Sequence, residues 1–218
     1  MTDQATARFN MIEQQIRTWE VLDPQVLATL SNTPREAFVP DAYRGLAFAD
    51  IEIPLDMGQH MLSPKIEGRF LQALQLQAKD KVLLVGAGSG HLAALMAQHC
   101  AQVTALEIFP ELCALTAKNL AKQGIQNVQL IEADGHNGYE AKAPYDAIVF
   151  TASSPVEPEG VRYQLSIGGR MLIVLGKAPV MQATLVQRLA EHSFKQDVLF
   201  ETSLTEMQNA PQALAFTF

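Results

Sequence analysis

Between Lys81 and Gly176 the chain alternates short, wholly apolar runs with longer amphipathic ones, and no other feature limits its possible folds as strongly. The run VLLV is followed by the glycine turn GAGSG and the helical pattern HLAALMAQHCA. VTALE comes next, then PELCALTAKNLAKQG, which Pro110 opens and Gly124 closes. VQLIEA, DAIVF and, after Gly168-Gly169, RMLIVLG supply three more apolar runs. Runs without polar alternation suit strands covered on both faces, and strands joined through helices pair in parallel. Five such strands predict an α/β fold with a doubly wound, mostly parallel Rossmann-like sheet.

The flanks read differently. From Phe9 to Thr33 the spacing of Met11, Ile12 and Ile16 is helical, and Asp23-Pro24 supplies an N-cap and first-turn proline for VLATL. This N-terminal helical cap is expected to pack its apolar face on the sheet or on a partner. Pro34 to Pro64, rich in Pro, Gly and Asp, reads as irregular connection, and a connection that long is usually functional or disordered. In the tail, ATLVQRL and FKQDVLFETS read as antiparallel strands at the sheet edge with AEHS as their turn, although Met181 to Ala190 also suits a helix. The 218 residues fit a single domain in three parts: cap and acceptor loop 1–64, cofactor-binding core 65–178, and C-terminal antiparallel strands and tail 179–218.

Composition removes several classes of function. A hydrophobic share of 48% with 18% charged residues lies in the globular range, which excludes a disordered chain. A net charge of −7 without a Lys/Arg cluster argues against a nucleic-acid partner. No apolar run approaches the roughly 18 to 20 residues of a membrane span. The opening MTDQATARFNMIEQQIR lacks a signal-peptide layout, so a cytoplasmic location is expected. Cys100 and Cys113 suit a reducing compartment as small core residues. The histidines (His60, His91, His99, His136 and His192) show no ligand spacing, and no metal is expected.

Gly86, Gly88 and Gly90 follow a strand and open a helix, where a bare backbone lets a ligand lie against the chain. The dinucleotide pattern G-x-G-x-x-G/A would place a small residue where His91 stands. The pattern G-x-G-x-G suits S-adenosylmethionine, which has no pyrophosphate but carries a carboxylate and an adenosine. Glu107, at the end of the second strand, is placed to accept ribose hydroxyls, and Asp134-Gly135 after the third to reach the adenine edge.

With these residues in view, the chain resembles the protein-L-isoaspartate O-methyltransferases, which use S-adenosylmethionine to methylate isoaspartyl carboxylates in damaged proteins. The resemblance rests on VLLVGAGSGHLAALMA, VTALE, ADGHNGYEAKAPYDAIVFTASSPVEP and LSIGGRMLIVLG, with MIEQQIR, LDPQVLATLSNTPREAFVP and AFADIEIPLDMGQ upstream. It implies that Gly86, Ala87, Gly88, Gly90, Glu107, Ile108, Asp134 and Gly135 hold S-adenosylmethionine, with Thr151 beside the transfer site. It also implies partners that are proteins or peptides bearing isoaspartyl residues; the sequence leaves open whether the chain is a monomer or a dimer.

The chain departs from that family in its acceptor loop. The family pattern G-Q-x-I-S-x-P, aligned on Gly58, Gln59 and Pro64, puts Leu62 at the serine and Ser63 one place late. Lys65 stands where an aromatic residue or histidine is usual, and SLTEMQNAPQ replaces an Arg-Phe-Val-Pro-Leu-like segment. A carboxylic acid with a pKa near about 4 is already ionised at neutral pH, so methyl transfer to it needs alignment rather than a base. Losing one orienting hydroxyl would cost roughly 0.5 to 3 kcal/mol. Ser63, His60 and Thr151 are the candidate catalytic residues, while Ser63-Pro64 equally suits an N-cap for KIEGRFLQALQL. Three readings follow: an isoaspartyl methyltransferase, a methyltransferase with another acceptor, and an S-adenosylmethionine-binding protein whose catalysis has lapsed.

Overall fold

The computed structural model describes residues 3–212. Among these, the main sheet consists of β3 (Lys81–Val85), β4 (Gln102–Glu107), β5 (Val128–Glu132), β6 (Tyr145–Ser154), β7 (Leu165–Lys177), β8 (Val180–Ala190) and β9 (Ser193–Thr202). A small antiparallel pair, β1 (Ile53–Pro54) and β2 (His60–Met61), precedes it. The sheet order is β5-β4-β3-β6-β7-β8-β9; pairings from β5 to β7 are parallel, and β8 and β9 add antiparallel at one edge. The five apolar runs thus become the parallel strands.

Met181 to Ala190 is a strand, paired with β7 from Arg170↔Gln187 to Lys177↔Val180. Met181 and Ala183 are buried on one face of the sheet and Val186 on the other, as the period of two along a pleated strand requires. The hairpin to β9 turns between the partners Ala190 and Ser193.

Along each parallel strand successive side chains enter opposite cores, as a period of two requires. Val82, Leu84, Val103 and Val149 join a large cluster to which α1 (Asp3–Met11), α2 (Pro24–Asn32), α3 (Pro64–Leu74), α4 (His91–Ala97) and α5 (Pro110–Lys122) all contribute. Leu83, Val85, Ile148, Phe150 and Ile173 face a smaller cluster. The crossovers on that side contain 3-10 turns, Glu140–Lys142 and Val161–Gln164, rather than full helices. Gly135, Gly138 and Pro144 in one crossover, and Pro155, Pro158 and Gly160 in the other, interrupt any longer helix.

The N-terminal segment packs on α3. Past α1 the chain makes a π turn (Ile12–Ile16) and a 3-10 turn (Arg17–Trp19), and Glu20 ends them with φ 61°. Asp23 caps α2 by accepting the amide of Gln25 at 2.8 Å. Gly68 lets α3 approach closely, since a Cβ there would stand 3.3 Å from Val21 and 3.4 Å from Ile16. The Pro34 to Pro64 connection is irregular apart from 3-10 turns and the β1–β2 pair.

The chain order reverses at β3, which has β4 and β5 on one side and β6 and β7 on the other. In open α/β sheets a ligand crevice forms outside the carboxyl ends of the strands at such a switch point.

Candidate active site

A cleft lies at those carboxyl ends, the place where small-ligand sites form in open α/β sheets. Val85, Gly86 and Gly88 line it from the end of β3, Glu107 and Ile108 from β4, Asp134 and Gly135 from after β5, and Thr151 from β6. Of the residues expected at the cofactor, Ala87 and Gly90 are not among its lining. Ala87 is buried in the core, and Gly90 packs beneath α5, where a Cβ would meet Thr116 at 3.2 Å.

The glycine turn contributes shape more than free amides. The amides of Gly86 and Ala87 both donate to the Leu106 carbonyl at 3.0 Å, and that of Gly90 to the Ala87 carbonyl at 2.8 Å. From α5, Thr116 donates to the Gly88 carbonyl at 2.8 Å and Asn119 to the Ser89 carbonyl at 2.9 Å, fixing the turn from below. Gly86 must be bare: its φ is +89°, and a Cβ would stand 2.2 Å from Thr151 Oγ1.

Glu107 is set by three backbone donors, Gly88 at 2.9 Å to Oε2, and Ile108 at 3.0 Å and Phe109 at 3.2 Å to Oε1. A carboxylate has about four acceptor sites, so one on Oε2 stays available to a ligand hydroxyl. Burial acts to raise the Asp134 carboxyl, but the amide of His136, the side chain of Asn209 and the His136 imidazole outweigh it and hold the group below its usual range. Asn209 donates to Asp134 Oδ2 at 2.7 Å, which ties the C-terminal tail to the strand ends.

Leu204, Thr205, Met207 and Gln208 of that tail line the cleft, as do Glu52, Gln59, His60 and Leu62 of the upstream loop. The structure therefore brings His60, Leu62 and Thr151 together. Thr151 donates to the carbonyls of Val85 at 3.1 Å and Gly86 at 2.9 Å. Ser63 is only 5% exposed, lies outside the cleft lining and occupies the N-cap position of α3. Its hydroxyl makes no capping bond; its carbonyl accepts from Ile66 and Glu67 at 3.1 and 3.2 Å. Glu52 is raised above the ordinary carboxyl range by burial, against the opposing influence of His60.

Behind Leu62 lies a buried polar cluster that residue spacing did not reveal. Arg35 (1% exposed) pairs with Glu67 (1%), and Glu67 also meets His91 Nδ1 at 2.8 Å. Arg35 donates to the Leu62 carbonyl at 2.6 Å and to the Ala47 carbonyl at 3.0 Å. The one sequence signal was Glu67 within the apolar face of KIEGRFLQALQL, beside Ile66 and Phe70. Thr116 and Asn119 were similarly legible as polar residues one turn apart on the buried side of α5.

The amides of Gly86, Ala87, Gly88 and Gly90 are bonded inside the protein, and the strand ends present carboxylates and bare glycine backbone to the cleft. At the strand ends a pyrophosphate would meet carboxylates and amides that are already bonded, whereas those acids suit a ligand with donors, such as the hydroxyls and amine of an adenosine. A Rossmann-like sheet with a cleft of this chemistry is that of an S-adenosylmethionine-dependent methyltransferase. The model of the protein-L-isoaspartate(D-aspartate) O-methyltransferase family matches residues 6–208, and the chain belongs to that family.

A protein-L-isoaspartate O-methyltransferase of Rhodopseudomonas palustris is 39% identical over 201 residues, covering 92% of each chain. One from Aeropyrum pernix is 38% identical over 186 residues, 84% of this chain and 72% of its own. Among solved structures, a protein-L-isoaspartate O-methyltransferase superposes with a TM-score of 0.80 at 23% identity, over 93% of this chain and 66% of that one. A Plasmodium falciparum protein described as such an enzyme, crystallised with S-adenosyl-L-homocysteine, gives 0.78 at 17% identity over 95% and 99%. The likeness to these two structures is one of fold.

Proposed function

We propose that this protein methylates the side-chain carboxylate of isoaspartyl residues in proteins and peptides, with S-adenosylmethionine as methyl donor. The observation that carries the reading is a single cleft lined both by the strand-end acids Glu107 and Asp134 and by the loop residues His60 and Leu62. Residues 1–64, 65–178 and 179–218 act as parts of one domain on this reading; residues 1–2 and 213–218 lie outside the described ones. Among the described residues no helix is long and apolar enough to cross a membrane, and both cysteines are free. We place the activity in the cytoplasm.

Gly86, Gly88, Glu107, Ile108, Asp134 and Gly135 would hold the donor, with Glu107 accepting from the ribose and Asp134 from the adenine. Bound there, S-adenosylmethionine would supply an electrophilic methyl group, whose transfer to the acceptor carboxylate would give a methyl ester and S-adenosylhomocysteine. The acceptor is already an anion at neutral pH, so no side chain has to remove a proton. The chain's task is to orient the carboxylate and exclude water from it. Leu62, 6% exposed, excludes water on the loop side, and Thr151 and His60 border the place where the acceptor would lie.

The test is methyl transfer to an isoaspartyl peptide beside the matching aspartyl peptide. The isoaspartyl peptide is expected to be methylated and the aspartyl one not, with Leu62→Ser raising the rate. Silence on both peptides, before and after that substitution, combined with intact S-adenosylmethionine binding, would refute the isoaspartyl reading.

A further inference from the structure

We infer that Thr205, in the C-terminal tail, supplies the hydroxyl that binds the acceptor carboxylate, paired with His60. This inference rests on the carboxylate-acceptor reading above. The cleft is poor in groups that could hold an anion. Among the described residues its charged side chains are the acids Glu52, Glu107 and Asp134, with His60 as the one group able to carry positive charge. The loop position nearest to Ser63 offers only the hydrocarbon of Leu62.

The remaining side-chain donors narrow the choice. Thr151 gives its hydroxyl hydrogen to main-chain carbonyls of the glycine turn. Gln59 turns its amide to the Met57 carbonyl at 3.2 Å, and Gln208 stands exposed. Thr205 differs, because its Oγ1 lies 3.3 Å from His60 Nδ1 and, among the described residues, bonds to no carbonyl. With a hydrogen on Nδ1, His60 donates to Oγ1 and leaves the Thr205 hydroxyl hydrogen free for a carboxylate oxygen.

The backbone that carries Thr205 is held from the sheet. Ser153, fully buried near the end of β6, donates its amide to the Thr205 carbonyl at 2.9 Å and its hydroxyl to the Leu204 carbonyl at 3.0 Å. The Ser153 carbonyl in turn accepts from the Met207 amide at 2.8 Å. A tail fixed on both sides of residue 205 can present a hydroxyl in a defined place, which a binding group requires.

The experiment compares wild type, Thr205→Val, Thr205→Ser, Leu62→Ser and Leu62→Ser/Thr205→Val as full chains, by steady-state methylation of the isoaspartyl peptide and calorimetry with S-adenosylmethionine. Thr205→Val is expected to lower kcat/KM for the peptide about 10- to 100-fold, the weight of one hydrogen bond to a charged group, with donor affinity unchanged. Thr205→Ser should stay within about 3-fold of wild type, and Leu62→Ser should raise the rate more in the Thr205→Val background than in wild type. Wild-type rates in Thr205→Val, or equal losses in the valine and serine variants, would overturn the assignment while leaving the isoaspartyl reading intact. A wild type silent on the peptide would overturn that reading and this inference with it.

Discussion

The buried guanidinium of Arg35 donates to the main-chain carbonyl of Leu62 at 2.6 Å while pairing with Glu67, so the acceptor loop is held by a charge inside the protein. Removing one member of a buried pair is costly because the other is left uncompensated, whereas replacing both by apolar groups can be nearly neutral. Arg35→Met is expected to lower the free energy of unfolding by about 3 to 5 kcal/mol. Arg35→Met/Glu67→Leu should lose less. Urea denaturation decides this, and equal losses in the two variants would show that the pair is not coupled.

Glu107 receives three backbone amides, and a glutamine can offer them only one oxygen. Glu107→Gln would set an NH2 group against at least one N–H of Gly88, Ile108 or Phe109. We expect S-adenosylmethionine affinity to fall by at least about 10-fold and stability by about 1 to 3 kcal/mol. Calorimetry showing unchanged affinity would remove Glu107 from the cofactor site.

A side chain at residue 86 meets two independent obstacles, the positive φ and the Thr151 hydroxyl. Gly86→Ala should therefore destabilise the fold and weaken donor binding. Gly86→Ala/Thr151→Ala should recover part of the loss, because it removes the clash and leaves the backbone strain. No difference between the single and double variants in thermal unfolding and in titration would contradict the close approach.

Burial pushes the Cys100 thiol up to about 12, with Asp80 adding to the effect. Burial, with Glu107 and Glu132, brings Cys113 to about 11. A thiol in the unfolded chain ionises near about 8.5. Below that pH both states keep the proton; above it the unfolded chain releases it first, so stability is lost as pH rises toward the folded values. The urea midpoint should fall between pH 8 and 10, and less steeply in Cys100→Ala/Cys113→Ala. Iodoacetamide at pH 8 should label native protein at least about 10-fold more slowly than unfolded chain; equal rates would contradict this.

The strand-end side of the cleft was largely legible in the sequence. Glu107 and Asp134 are local features, the first at the last position of β4 and the second two residues past β5, and parallel pairing brings these strand ends to one edge. The loop side was only half legible. His60, Leu62 and Thr151 were singled out and line the cleft, but Ser63, next to Leu62 in sequence, is buried at the start of α3. One residue of offset was enough to turn it from the cleft, and only the packing of α3 decides which of two neighbours faces inward. Met181 to Ala190 was ambiguous for a related reason: a short apolar run fits helix or strand until a neighbouring edge such as β7 is available to pair with it.

By itself the sequence determined the parallel α/β sheet, the glycine turn and the strand-end acids, because periods of 2 and 3.6 and the turn residues between them are written within a few positions. Tertiary structure alone decided that Arg35, Glu67 and His91 meet in the core, and that Thr205 stands beside His60. His60 and Thr205 are 145 residues apart, and their meeting depends on Ser153 holding the tail and on the loop before α3 folding over the strand ends. A contact of that kind leaves no local pattern, since each residue alone is an ordinary polar side chain and only the packing of distant elements makes them a pair.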